Sequence, residues 1–228
     1  MKSFRSIALI SGILIVSLFM SAQTHYSSNI SLGLKGGVDL SRVMFTPSVK
    51  QSFALGGNAG ITFRYIEENH FGLIAEVNFE QRGWKENFEK YPFEYTRTLN
   101  YIQVPFLAHI YFGRRGRFFF NAGPEIGFMI GESTKANFDY NNLQSVSDFP
   151  SNLRTTYQYQ LAAENKVDFG ISAGLGGEFS LNKKNSIYVE GRFYYGLGNV
   201  LKSGRTELFR GSNSMSIMAS VGYWFRIK

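Results

Sequence analysis

Residues 168–181 read DFGISAGLGGEFSL, and the alternation within this stretch decides the fold. Every second residue from Phe169 to Leu181 is apolar or glycine, whereas the intervening positions include Asp168 and Glu178. A period of two is typical of a β-strand whose two faces meet different surroundings. The stretch therefore predicts a strand with one apolar face and one charged face, and the orientation of these faces is the first question.

The same alternation recurs along the chain and predicts eight strands. Their predicted ranges are 30–41, 55–65, 71–84, 96–112, 117–131, 167–181, 186–197 and 214–228. One face of every predicted strand carries neither a charge nor a side-chain amide. The interior of an eight-stranded barrel is narrow, and a charge facing lipid near the bilayer midplane costs about 2–4 kcal/mol. The broad, uncharged, Phe-rich face therefore predicts contact with lipid.

The connections between the predicted strands alternate between long and short. The long ones are 42–54, 85–95, 132–166 and 198–213, and the short ones are 66–70, 113–116 and 182–185. Outer-membrane barrels have an even number of antiparallel strands, short periplasmic turns and longer outer loops. The predicted fold class is all-β, an eight-stranded antiparallel up-and-down transmembrane β-barrel.

The first residues predict export. Lys2 and Arg5 precede an uncharged apolar run at 7–20, and the small or polar residues 21–23 follow. This is the layout of a secretory signal peptide. The run is short for a membrane-spanning helix, so an uncleaved anchor is the less favoured alternative. We expect residues 1–22 to be a signal peptide cleaved after Ala22, and residues 23–228 to form the outer-membrane barrel domain.

Composition excludes several classes of protein. Removing Lys2 and Arg5 lowers the net charge from +7 to +5, with 22 basic and 17 acidic residues left. The chain has no cysteine, which excludes disulfides and thiolate metal sites. No segment after the signal has 18 consecutive apolar residues, so no transmembrane helix is expected. A modest charge on a lipid-embedded chain does not indicate nucleic acid as a partner.

The charged face of the strands predicts a filled bore. A buried charge needs a partner, and removing one partner typically costs about 3–5 kcal/mol. Seven charged residues share the inward phase and are predicted to form one charge-paired network that closes the bore: Arg64, Glu76, Glu125, Glu178, Glu190, Arg192 and Arg226.

The connection 132–166 is the candidate partner-binding loop. Long loops without secondary structure are uncommon unless they are functional or disordered. This connection is rich in aromatic residues, which anchor many interfaces. Its aromatic residues are Phe138, Tyr140, Phe149, Tyr157 and Tyr159, and Pro150 lies among them. A poorly ordered surface loop is the alternative.

Lipids are the other expected partners, and they include lipopolysaccharide. Lys202, Arg205 and Arg210 lie in the last outer connection. They could meet lipopolysaccharide phosphates, because charged donors bind phosphate oxygens strongly. Solvated surface charges are the alternative reading.

Catalysis and metal binding find little support in the sequence. The three histidines His25, His70 and His109 are scattered, and no serine or acid is placed beside them as a catalytic triad requires. We predict no enzyme activity, no catalytic or metal site and no cofactor. A lipid-modifying outer-membrane enzyme and a porin-like transporter of small solutes remain alternatives.

Seven stretches of the chain also match one known family in order. They are GLKGGVDLS (33–41), EVNFEQRG (76–83), YIQVPFLAH (101–109), NAGPEIGFMIG (121–131), DFGISAGLGGEF (168–179), YYGLGNV (194–200) and VGYWF (221–225). Together they resemble the PorT-like family of outer-membrane β-barrel proteins of Bacteroidota. The chain departs from the family at Asp39, where Asn is usual, at Gln103, where Glu is common, and at His109, where Lys is common.

The resemblance implies an eight-stranded outer-membrane barrel. The namesake's role lies in protein secretion to the cell surface, but a fold does not by itself deliver a function. The predicted function is a structural or interaction role through the outer loops, including the role of accessory subunit in a secretion or assembly complex.

Overall fold

The structure is a computed structural model, and it describes residues 28–149, 157–159, 161–203 and 207–228. The predicted signal peptide lies outside these ranges. The described strands, in chain order, are β1 Asn29–Thr46, β2 Gln51–Ser52, β3 Ala54–Glu68, β4 Phe71–Glu86, β5 Tyr95–Gly113, β6 Gly116–Ala136, β7 Val167–Ser180, β8 Asn185–Gly196 and β9 Gly211–Arg226. Two short 3-10 turns, Leu143–Ser145 and Tyr157–Tyr159, lie between β6 and β7. Within the described ranges, no helix is long and apolar enough to cross a membrane.

Eight of these strands form a closed ring. Each long strand pairs antiparallel with the next long strand along the chain, and β9 pairs with β1 to close the circle, for example with Leu34 opposite Tyr223. The short β2 lies outside the ring and pairs with the end of β4, where Gln51 is opposite Glu86. The predicted eight-stranded, up-and-down antiparallel fold is confirmed.

The two faces of the ring are oriented as a membrane barrel requires. On the outside, Leu34 is 63% exposed and Leu175 is 57% exposed, whereas the inward Glu76 and Arg192 are each 3% exposed. A soluble barrel would show the reverse arrangement, because apolar burial is the main favourable term in water. The apolar exterior is therefore the surface that lipid covers.

The strands continue beyond the lipid-facing band on the side of the long connections, and there the two faces exchange character. In β1 the inward residues change from Asp39 and Ser41 to Val43 and Phe45, all of them buried. The outward positions of the same segment are Arg42 and Met44, which alternate with Val43 and Phe45. Above the bilayer, water surrounds the barrel, so apolar side chains pack inward. The predicted end at residue 41 was too early because the alternation continues with its faces reversed.

This exchange creates an apolar core above the membrane, which we call the outer core. Its buried members are Val43, Phe45, Trp84, Phe88, Tyr95, Leu99, Tyr101, Met129, Tyr159, Ala163, Val200, Leu201 and Phe209. Strands β1, β4, β5 and β6 supply its walls, and the long connections supply the rest. β6 reaches Ala136, beyond its predicted end at 131; the pairing with β5 shifts register between Met129 and Gly131, and Ala136 then packs on the outer core.

A second apolar layer fills the bore near the short turns. Its members are Ile66, Ile74, Leu107, Tyr111, Phe119, Tyr188 and Trp224. Two inward glycines make room for its rings: a Cβ at Gly222 would lie 2.2 Å from the Tyr188 ring, and one at Gly176 would lie 2.4 Å from the Phe119 ring. The charged residues of the bore therefore lie largely between two apolar layers.

Candidate functional site

The first group of charges in the bore centres on Glu76, on the inner face of β4. Its Oε2 accepts hydrogen bonds from Lys35 Nζ at 2.6 Å and from Arg192 at 2.7 Å, and its Oε1 accepts one from Arg192 at 2.8 Å. Arg192 also donates to Glu190 at 2.9 Å. These side chains are at most 3% exposed. Two bases and two acids from β1, β4 and β8 thus compensate one another across the bore.

The second group centres on Arg82, nearer the outer end of β4. Its Nε donates to Glu80 at 2.6 Å, and its Nη2 donates to Glu125 at 2.6 Å. Its Nη1 lies 3.6 Å from Asp168. The guanidinium carbon is 3.7 Å from the centroid of the Tyr194 ring, within the range of a cation–π contact. One guanidinium therefore holds carboxylates from β4, β6 and β7.

The third group is an ion pair near the short turns. Arg64 donates to Glu178 at 2.6 and 3.2 Å, and the Ser186 hydroxyl donates to the same carboxylate at 2.6 Å. The Arg64 guanidinium lies 4.6 Å from the centroid of the Trp224 ring. Arg226, also predicted for the network, is half-buried at the rim and lines a small cleft beside this pair.

The contacts thus place the seven predicted residues in separate groups. Glu76, Glu190 and Arg192 touch directly, while Glu125 joins Arg82. Sequence reasoning left Lys35 and Arg82 out of the predicted network although both share its inward phase. The alternation along a strand predicts which face a residue occupies, but the register between neighbouring strands decides the height of that residue in the bore.

Asp39 differs from the other buried acids. It is fully buried on the inner face of β1; among the described residues no donor group reaches its carboxylate oxygens, and its carboxyl group lies within hydrogen-bond reach of the Glu80 carboxyl. It lies close enough to Glu80, Arg82 and Glu125 to feel their charges. With Asp168, four carboxyl groups surround the single guanidinium of Arg82. This layer therefore has more acids than bases.

The two histidines that the structure describes, His70 and His109, do not come together in a recognisable catalytic or metal site. His109 is 1% exposed; its Nδ1 is 2.7 Å from Asn121 Oδ1, and its ring stacks on Tyr111 at 5.5 Å. His70 lies in the turn between β3 and β4, and His25 lies outside the described residues. In the part of the chain that the structure covers, no group of three or more His, Cys, Asp or Glu residues could hold a metal ion.

The aromatic residues of the 132–166 connection pack on one another and on the loop after β4. The ring centroids of Phe138 and Phe149 are 5.2 Å apart, and Phe93 lies 5.5 and 5.2 Å from these two rings. Tyr159 lies 4.6 Å from Tyr95 in the outer core. Of the five predicted loop aromatics, four are therefore partly or fully buried by the protein's own loops and strands, namely Phe138, Tyr140, Phe149 and Tyr159, and Phe93 packs on the same core.

The other two predicted loop anchors contribute differently. Tyr140 packs edge-on against Tyr95 at 5.8 Å and is half-buried. Tyr157 contributes its backbone to a 3-10 turn, and its side chain lies outside what the structure describes, as does Pro150. Of the three outer basic residues, Lys202 lies 3.7 Å from Glu207, while Arg205 is outside the described ranges.

Hydrogen bonds fix the connection across the top of the barrel. Glu86 accepts a hydrogen bond from Gln158 Nε2 at 2.8 Å and another from the Tyr159 hydroxyl. Arg97 donates to the Leu161 carbonyl at 2.5 Å. Gln158 is fully buried. We call this set, together with the aromatic rings above, the outer cap.

Glu86 lies beyond the lipid-facing band, since the outward residues of β4 change from Phe79 to Gln81, Gly83 and Lys85. Burial raises the pKa of Glu86 to about 7, and the hydrogen bonds from Tyr159 and Gln158 counteract this only in part. Burial and the nearby Glu86 charge raise the pKa of Tyr159. Burial of Glu86 beneath the outer cap therefore favours its protonated form, although the hydrogen bonds from Tyr159 and Gln158 favour the carboxylate.

Comparison with known proteins identifies the family to which this barrel belongs. The profile of a family described as outer membrane protein beta-barrel domain matches residues 21–202. No curated protein sequence matches the chain significantly.

Three solved structures illustrate the likeness. OprG from Pseudomonas aeruginosa is 10% identical with a TM-score of 0.48, covering 90% of this chain and 99% of its own. Neisserial surface protein A is 11% identical with a TM-score of 0.46, covering 86% and 98%. The outer membrane enzyme PagL is 12% identical with a TM-score of 0.36, covering 83% and 97%. By the family match, the chain belongs to the outer membrane protein beta-barrel domain family, and it is located in the outer membrane.

Proposed function

We propose that this protein is a closed barrel with a structural or interaction role at the cell surface, acting through its outer loops as an accessory subunit of a secretion or assembly complex. The PorT-like sequence stretches support the secretion context, because the namesake of that family acts in secretion. The filled bore supports the interaction role over transport. A barrel with a blocked interior can act only through its surfaces.

The packing of the bore carries this proposal. Ion-paired side chains of Lys35, Glu76 and Arg192 cross it at its centre, and each is buried. Apolar side chains fill it above and below this layer. An eight-stranded ring leaves an interior that side chains can fill, whereas aqueous channels occur in barrels of about twice that strand number.

Conductance in a planar bilayer tests this proposal. The purified protein, once a shift in gel mobility on heating has shown that it is folded, should give no steady single-channel current, while a porin reconstituted in the same way serves as the positive control. A stable, large current would overturn the closed-barrel proposal and would favour transport of small solutes.

The exposed parts of the outer loops are the candidate contact surface. The predicted loop aromatics largely build the outer cap, and other apolar side chains extend beyond it. Phe53 is 42% exposed, Tyr91 is 43% exposed and Leu208 is 49% exposed. We expect these residues, supported by the cap, to contact a partner protein, because aromatic and large apolar side chains dominate interface energetics.

Affinity purification from native outer membranes tests the contact surface. A triple variant with Phe53, Tyr91 and Leu208 changed to Ser should lose its co-purifying outer-membrane proteins, while Lys90→Ser should retain them. Identical co-purification by both variants would show that the loops do not form the contact.

A lipid-modifying enzyme is the second candidate, since PagL is an outer membrane enzyme with a similar architecture. His109 is the histidine available within the described bore, and its ring is enclosed by Asn121, Tyr111 and Phe119. We therefore expect His109→Ala to leave the lipid composition of the outer membrane unchanged. A change in lipid A or phospholipid structure that depends on His109 would favour the enzyme.

The signal peptide stays part of the proposal. We expect the mature protein to begin after Ala22, and sequencing of the N-terminus of protein purified from outer membranes would test this. A mature chain that begins at Met1 would favour an uncleaved anchor.

A further inference from the structure

We propose that the periplasmic rim of the barrel carries a binding site for the phosphate groups of anionic phospholipids. The site, which we call the basic rim, combines the turn 113–116, the turn 181–184 and the end of the chain at 226–228. Its exposed cations are Arg114, Arg115, Lys183, Lys184 and Lys228. Short turns lie on the periplasmic side of outer-membrane barrels, so this surface faces the inner leaflet. The inference is independent of the proposed function of the outer loops.

Backbone hydrogen bonds join the three segments into one surface. The Ser180 amide donates to the Arg115 carbonyl at 2.9 Å, which connects the first turn to the second. The Arg226 amide donates to the Lys184 carbonyl at 2.7 Å, which connects the second turn to the chain end. The cations therefore follow one continuous arc over the periplasmic ends of β5 to β9.

This arc contains no acidic residue in its own segments. Residues 113–116, 181–184 and 226–228 include no Asp or Glu. Glu178, on β7 beside these turns, faces the bore and pairs with Arg64. Among the described ion pairs, none involves the five exposed cations of the basic rim. Their charge is available to an external anion.

The height of these cations favours lipid headgroups as the source of that anion. Arg114 and Arg115 lie between Phe112 and Phe118, which are each 56% exposed on the lipid-facing side. The Arg115 guanidinium lies 5.9 Å from the centroid of the Phe179 ring, which is also on that side. A cation beside a lipid-facing ring lies at the membrane interface, where phospholipid phosphates are found. Carboxylates of a periplasmic polymer would lie farther from the membrane.

The chemistry of the cations suits a phosphate. A guanidinium can donate two parallel hydrogen bonds to phosphate oxygens, and an ammonium attracts phosphate as a point charge. Each Lys or Arg near an anionic membrane surface strengthens association about fivefold.

Electron paramagnetic resonance of spin-labelled lipids tests the site in reconstituted membranes of phosphatidylcholine. The wild-type protein should immobilise spin-labelled phosphatidylglycerol in preference to spin-labelled phosphatidylcholine, and added salt should weaken this preference. Changing Arg114, Arg115, Lys183 and Lys184 to Gln should reduce the selectivity at least fivefold. Changing both Arg residues to Lys should preserve most of it.

A control variant carries the same change in charge on the outer side, with Lys90, Lys135, Lys166 and Lys202 changed to Gln. This variant should keep the selectivity, and heat modifiability on gels should show that every variant is folded. Unchanged selectivity in the basic-rim variant, or equal loss in both variants, would overturn the proposal. Loss of binding to isolated peptidoglycan with unchanged lipid selectivity would also overturn it and would assign the rim to a periplasmic polymer.

Discussion

Arg192→Leu tests whether the ion pairs of the bore hold the barrel together. Arg192 makes bidentate contact with Glu76 at 2.7 and 2.8 Å and a further hydrogen bond to Glu190 at 2.9 Å. After the substitution, Glu76 would keep Lys35 as a partner at 2.6 Å. Glu190 would keep only the amide of Asn121 at 2.8 Å among its described partners, and no base. Glu190 is therefore the group that the change leaves uncompensated.

The expected loss follows from that uncompensated carboxylate. Removing one member of a buried ion pair typically costs about 3–5 kcal/mol. Because Glu76 keeps Lys35, we expect the lower part of this range, about 3 kcal/mol in the free energy of unfolding. Removing Glu190 as well should recover part of the loss, since the double variant Arg192→Leu/Glu190→Leu buries no unpaired charge at that position.

Equilibrium urea unfolding in lipid vesicles would measure these free energies. The single variants and the double variant form a cycle, in which we expect a coupling of about 1–3 kcal/mol between positions 190 and 192. Val189→Leu serves as the control because Val189 is 56% exposed to the lipid side, and it should change the stability by less than about 0.5 kcal/mol. A loss below about 1 kcal/mol for Arg192→Leu, or no coupling in the cycle, would refute the reasoning.

Three further predictions use other parts of the structure. Asp39→Asn should stabilise the barrel by about 1–3 kcal/mol in the same unfolding assay, because it removes one of the four acids that surround the single guanidinium of Arg82; a less stable variant would contradict this. Burial raises the pKa of Glu86 to about 7 from an ordinary 4.5, so the folded cap binds the proton more tightly than the unfolded chain. The cap should be most stable at acid pH and lose up to about 3 kcal/mol as the pH rises from 4.5 through 7. Tyr159 and Tyr95, the titratable groups facing Glu86, stay protonated over this pH range. Hydrogen exchange at residues 157–163 should show the loss of cap stability with rising pH, and Glu86→Gln should abolish that dependence on pH. Epitope tags inserted at residues 145–146 should be accessible on intact cells and tags at 183–184 should not; the reverse pattern would invert the topology.

The sequence predicted the ring because the lipid-facing band imposes one simple rule. Outward positions within the bilayer must be uncharged, since a charge there costs about 2–4 kcal/mol. The rule produces an alternation that one sequence displays clearly. The strand predicted at 167–181 is observed as Val167–Ser180, and the one predicted at 186–197 is observed as Asn185–Gly196.

The arrangement inside the bore was less predictable. Alternation placed Arg64 and Arg192 on the same inner face, but it contains no information about height. In the structure Arg64 pairs with Glu178 near the short turns, and Arg192 pairs with Glu76 at the centre. These partners are more than 100 positions apart in sequence, and only the register between strands brings them together.

The outer cap was the part that sequence reasoning missed, and the reason is physical. Above the bilayer, the same strands pass from lipid into water, so the apolar side chains move from the outer to the inner face. Val43 and Phe45 continue the alternation of β1 with this opposite polarity, and Tyr95 and Leu99 do the same in β5. A search for one continuous apolar face ends each strand at the point of exchange. The point of exchange therefore marks the membrane boundary, and the aromatic residues beyond it build a core first and a surface for partners only second.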